Sequence, residues 1–139
     1  MLRGDAGGSD WQTFAAESIG DVFCDLFLLG PGVSAAKRPR QIQCRAAILP
    51  GPDSSAMSAG LDTPCAVTYG FSPRDTLTLS SLSGRRAMVA LQREIIDLSG
   101  ICHEQQEFVL GLPPGAGPWQ LMAVTAARIL LGQGVIPNL

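Results

Sequence analysis

Residues 64–82, PCAVTYGFSPRDTLTLSSL, place two strands of different character on either side of one turn. The first, residues 65–69, is apolar without alternation, the pattern of an inner parallel strand covered on both faces. Gly70 stops it, and Ser72-Pro73-Arg74 supplies the turn. The second begins at Thr76 and alternates. Leu77 and Leu79 fall on one side and Thr76, Thr78 and Ser80 on the other, so one face meets solvent. A buried strand feeding a half-exposed one marks a chain leaving a parallel sheet for a smaller antiparallel one.

A chain of 139 residues buries roughly 70% of its unfolded surface, enough for a core of its own. It is 46% apolar and only 16% charged, the reverse of a disordered composition. Residues 1–9 read as a flexible tail and residues 10–139 as one domain. Few charges also leave room for an apolar contact surface, so a protein partner or self-association is expected. The ten basic residues are nine Arg and Lys37, thinly spread apart from Lys37-Arg38-Pro39-Arg40, and net charge is −2. Nucleic-acid binding asks for a basic stripe, so no nucleic-acid partner is expected. No apolar run approaches the ~20 residues of a membrane span and the N-terminus lacks a signal-peptide pattern, so a cytoplasmic protein is expected. Arg3-Gly4-Asp5 is a chance tripeptide in that setting. Cys24, Cys44, Cys65 and Cys102 show neither CxxC nor zinc spacing and read as thiols, three of them in strands.

Along the chain, Asp10 can cap a short helix reaching Ser18, with Trp11, Phe14 and Ala15 on its buried side. Gly20-Asp21 then breaks it, and residues 22–29 read as a strand. The spacing of Trp11, Ala15, Ile19, Val22, Leu26 and Leu29 also fits one longer helix, and both readings stand. Residues 30–40 form a Gly/Pro/basic loop that fails as a phosphate loop. Pro31 and Ala36 replace its glycines and Arg38 its magnesium-binding hydroxyl. Residues 42–49 are a strand and residues 54–60 a helical turn or crossover. Beyond Leu82, residues 87–96 and 103–112 add two strands joined by tight turns, completing an antiparallel meander. Pro118 then opens a helix over residues 119–131, apolar apart from Gln120, Thr125 and Arg128. The fold class is therefore α/β: a short parallel sheet, an attached three-stranded antiparallel meander and a packed C-terminal helix.

This order of elements resembles the later part of the central domain of the Mur ligases, which folylpolyglutamate synthases share. The resemblance rests on Cys65-Ala-Val-Thr-Tyr-Gly-Phe71, Asp75-Thr-Leu-Thr-Leu79, the meander, Leu112-Pro-Pro-Gly115 and Leu121-Met-Ala-Val-Thr-Ala-Ala127 ending at Leu131-Gly132. It covers about residues 42–137. Residues 47–53 correspond to a family strand ending in paired aspartates, of which Asp53 alone is present. The family's phosphate loop, its magnesium-holding acidic and histidine segment and its C-terminal domain have no counterpart. ATP-dependent amide ligation needs a clamped γ-phosphate and metal. The resemblance therefore implies a shortened, non-catalytic relative without cofactor, linked to bacterial cell-wall precursor synthesis.

No catalytic or metal-binding set emerges from the residues themselves. His103 is the only histidine, and Glu104 beside it on a strand points to the opposite face. Ser80-Ser81 lacks the G-x-S-x-G setting of a hydrolase nucleophile. The most suggestive polar group is Gln92, Arg93, Gln106 and Glu107, a ligand or partner patch if the last two meander strands pair. Arg93 would then meet a carboxylate, although ordinary cross-strand pairing gives the same pattern. A second candidate is the crevice beyond the parallel strand ends, at Gly51, Asp53 and Gly70. Three functions fit: a non-catalytic binding or interaction module, one component of a split amide ligase, or a module binding nucleotides or UDP-sugars.

Overall fold

The computed structural model describes residues 2–4, 11–13, 20–33 and 39–134. Its strands are β1 (Leu2–Gly4), β2 (Trp11–Thr13), β3 (Asp21–Leu28), β4 (Gln41–Pro50), β5 (Leu61–Asp62) and β6 (Ala66–Gly70). They continue with β7 (Leu77–Ser83), β8 (Arg86–Leu91), β9 (Ile95–Ile96), β10 (Cys102–His103) and β11 (Gln106–Gly111). A one-turn helix α1 (Ser54–Met57) follows a 3-10 turn after β4, and α2 (Pro118–Leu130) closes the described chain. Nine strands form one mixed sheet in the order β11-β8-β7-β6-β4-β3-β1-β2, with β5 beside β4, while β9 and β10 make a separate hairpin. β3, β4, β6 and β7 run parallel, and β7, β8 and β11 are antiparallel. The class is the expected one.

β4 is central, and its second half, from Ala46 to Pro50, is buried without interruption because both faces are covered. On one face α2 lays Met122, Ala126, Ile129 and Leu130 over Leu26, Ile48, Val67, Tyr69 and Leu77. Its alanines let the helix come close to the strands. On the other, Met57 of α1 with Val33 and Leu61 covers Val22, Phe27, Leu29, Ile42, Cys44, Ala47 and Leu49. Strict alternation would separate Val22 from Phe27 and Ile42 from Ala47, yet each pair shares a core. The change of phase falls at Asp25 and Arg45, where the β3–β4 ladder skips a rung. Arg45 uses it to donate to Leu98 O at 2.6 Å and to lie 3.6 Å from Asp25.

The sequence reading needs correction in four places. Trp11–Thr13 is a strand, so no helix begins at Asp10, and residues 14–19 lie outside the described residues. Leu2–Gly4 pairs with both β2 and β3 where a frayed tail was expected; the remainder of that tail is likewise outside them. The meander is not a second sheet. β7 pairs with β6 at Tyr69↔Leu77 and Gly70↔Thr78 and then runs on past its end. Finally, the strands expected over residues 87–96 and 103–112 each break in two. The break frees Gln92 to turn into the loop before β7, with its backbone N–H on Thr76 O at 2.8 Å.

Parallel neighbours ordinarily need a long crossover, yet only residues 71–76 join β6 to β7. The stagger explains how: β7 starts level with the end of β6, so the chain backs up by only a few residues. Thr68 and Thr76 extend the joint by reciprocal bonds, each backbone N–H donating to the other hydroxyl at 3.2 and 3.1 Å. Thr78 Oγ1 donates to Gly70 O at 2.8 Å. The meander thereby stands beyond the carboxyl ends of β4 and β6 and forms a wall there.

Candidate functional site

Between that wall and the strand ends lies a crevice of about 650 Å³, within the size range of small-molecule sites. Gly51 and Pro52 line it from the end of β4, Phe71, Ser72, Arg74 and Asp75 from the loop, Arg93 from beyond β8, and Trp119 from α2. Trp119 stands edge-on to Phe71 at 5.0 Å and to Tyr69 at 5.8 Å. Phe71 is half exposed, so the floor of the crevice offers an aromatic edge to solvent.

Asp75 is the chemical centre of the crevice. It is 4% exposed, and the Ser72 N–H donates to its Oδ2 at 3.1 Å. Among the described residues no buried side-chain oxygen is left without a hydrogen-bond partner. The carboxylate forms part of the crevice lining. The backbone is shaped around the carboxylate: a Cβ on Gly51 would overlap Oδ1, and one on Gly70 would lie 2.5 Å from Oδ2. A mostly buried carboxylate favours any donor that can reach it.

Of the residues singled out in the sequence, Gly51 lines the crevice and Gly70 packs against Asp75 behind it. Asp53 sits in the 3-10 turn outside the lining; its charge adds to burial in pushing the Tyr69 phenol far above its usual range. Tyr69 is fully buried and donates to Leu29 O at 2.6 Å. The last two meander strands do pair, as the four-residue patch required. Gln106 and Glu107 of β11 stand opposite Leu91 and Ala90 of β8, and Arg93, beyond the end of β8, donates to Arg74 O. Gln92 instead serves the crevice, its amide reaching Pro73 O at 3.1 Å and Asp75 O at 3.0 Å. It holds the loop that carries Asp75.

A second polar centre was not anticipated. Asp97, 6% exposed, accepts from His103 Nε2 at 2.8 Å and from the N–H groups of Ser99 and Ile101 at 2.8 and 3.0 Å. Burial alone would raise its carboxyl, but these bonds outweigh it and hold the group below the ordinary carboxylate range. Its work is structural, since it closes the turn that Leu98 N–H ties to Leu130 O at the end of α2. Asp75 and Asp97 escaped the sequence reading because each lies in a short polar turn. Asp97-x-Ser99 and Ser72-x-x-Asp75 were nevertheless legible as side chains able to cap their own backbone.

Among the described residues no group of three or more His, Cys, Asp and Glu side chains is placed to hold a metal. No helix among them is long and apolar enough to cross a membrane. No protein-family model, curated protein or solved structure matches the chain.

Proposed function

We propose that this is a non-catalytic binding module, a shortened relative of the Mur ligase central domain, whose crevice takes a nucleotide or UDP-sugar. The observation that carries this is Asp75, an almost wholly buried carboxylate in the lining of an open crevice at the carboxyl ends of parallel strands. Around it the chemistry is divided. Trp119 and Phe71 suit a flat ring, the Asp75 carboxylate suits a ring N–H or sugar hydroxyl, and Arg74 and Arg93 attract an anionic group. The Mur-like reading draws support from the succession of β6 with its Tyr69-Gly70 end, the meander, the Pro-Gly loop and α2.

Binding is favoured over turnover because the nearby hydroxyls serve the backbone. Ser54 donates to Gly51 O at 2.9 Å, Thr68 accepts from Thr76 N–H, and Ser72 accepts from Arg74 N–H at 3.1 Å. None is paired with a base that would activate it.

Thermal shift and calorimetry with nucleoside mono- and diphosphates and UDP-sugars test the reading. A ligand at 100 times its Kd adds about 2.7 kcal/mol of stability. Asp75→Asn and Arg93→Ala are expected to weaken binding about tenfold each, the loss of one charge-assisted hydrogen bond. No shift with any of these compounds, or magnesium-dependent ATP hydrolysis by the chain alone, would overturn it.

A further inference from the structure

We propose that Cys24 and Cys44 form a modification site: a paired dithiol that hydrogen peroxide oxidises to an intrachain disulfide, leaving Cys65 and Cys102 as thiols. All four cysteines are thiols in this structure. Cys24 and Cys44 are register partners on β3 and β4. In a parallel ladder such partners project from the same face, on strands about 4.7–4.9 Å apart. That spacing falls inside the Cα separation that disulfides span, about 4.4–6.8 Å. The two thiols are close enough for Cys24 to influence the Cys44 thiol directly.

Their surroundings divide the labour. Cys24 is half-buried and open to a small oxidant, whereas Cys44 is 6% exposed. The neighbouring Cys24 is the largest influence on Cys44. With Thr63 and the backbone at Phe27 it holds that thiol below its ordinary range, against burial and the Asp62 charge. Burial pushes Cys65 the other way, and desolvation with the Glu94 and Glu104 charges does the same to Cys102. Cys44 is thus suited to resolve an oxidised Cys24, while the more open Cys24 meets the oxidant first.

In the first step the Cys24 thiolate attacks one peroxide oxygen. The O–O bond breaks, a sulfenic acid forms, and the departing hydroxide takes a proton to leave as water. The Cys44 thiolate then attacks the sulfenic sulfur; the S–S bond forms, the S–O bond breaks, and a second water leaves. Two thiols and one peroxide give one disulfide and two waters, with the two electrons coming from sulfur. Reduction by thiol exchange returns both cysteines to thiols. The skipped rung at Asp25 and Arg45, one residue along, supplies the give that closure needs.

The test treats the folded full chain with stoichiometric peroxide, alkylates the remaining thiols and maps tryptic peptides by mass spectrometry. Residues 41–45, QIQCR, report Cys44 alone, since Arg40 and Arg45 bound them. The expected product is that peptide joined to the one containing Cys24, lighter by two hydrogens, with Cys65 and Cys102 alkylated. Dithiothreitol restores four alkylated cysteines, and Cys24→Ser leaves Cys44 alkylated after the same treatment. Full alkylation of Cys24 and Cys44 in the oxidised wild type overturns the proposal. So does a linkage of Cys44 to Cys65, or a Cys102-linked dimer as the main product.

Discussion

At the scale of single residues, the crevice is written in two glycines and one carboxylate. Gly51 and Gly70 are needed for closeness rather than for unusual backbone angles, because the side chain of Asp75 fills the space where each Cβ would stand. Gly51→Ala is expected to cost about 1–3 kcal/mol as overpacking, read by urea denaturation. Replacing Asp75 by Ala removes the obstacle, so the double variant should lose less than the sum of the single ones; strict additivity would show that the carboxylate is not what excludes the methyl group. The sequence pointed to Gly51 and Gly70 through their place at strand ends. It did not reveal Asp75, because a lone aspartate before a strand looks like any turn residue until the fold brings it against both glycines.

At the scale of elements, local patterns identified β4, β6, β7 and α2 within a few residues and offered β3 as one of two readings, because their burial is written in apolar runs and in Pro and Gly boundaries. They failed for the meander's far end. Residues 87–96 carry strand-like alternation throughout, but Gln92 bonds across to residues 73 and 75, a long-range choice invisible in a local window. The β9–β10 hairpin that results hangs on Asp97, and this gives it a pH dependence. The Asp97 carboxyl is held below its ordinary value in the fold. The stability it brings is therefore complete above the unfolded-state value near ~3.9 and is lost as pH falls through the lower folded-state value. Asp97→Asn should be less stable than wild type at neutral pH, and the gap in denaturation midpoint should close on acidification. A gap that stays constant down to pH ~2 would contradict this account of the carboxylate's role.

At the scale of the whole molecule, α2 is what makes the parallel strands and the meander one body. It packs on β4 and β6 on one side and on β7 on the other, with Met122 and Leu130 fully buried beneath it. Met122→Ala is expected to cost about 2–5 kcal/mol as an unfilled cavity, with both halves still melting in a single calorimetric transition. Two transitions in the wild-type chain would show instead that the halves fold independently. Backbone pairing between those halves is sparse: two rungs of β6 with β7 and one pair of threonines. The plate is thus scored across its middle, along the same line where the crevice opens. Whatever lodges there touches material on both banks of the score and acts as a rivet, so occupancy of a small site would stiffen the entire sheet.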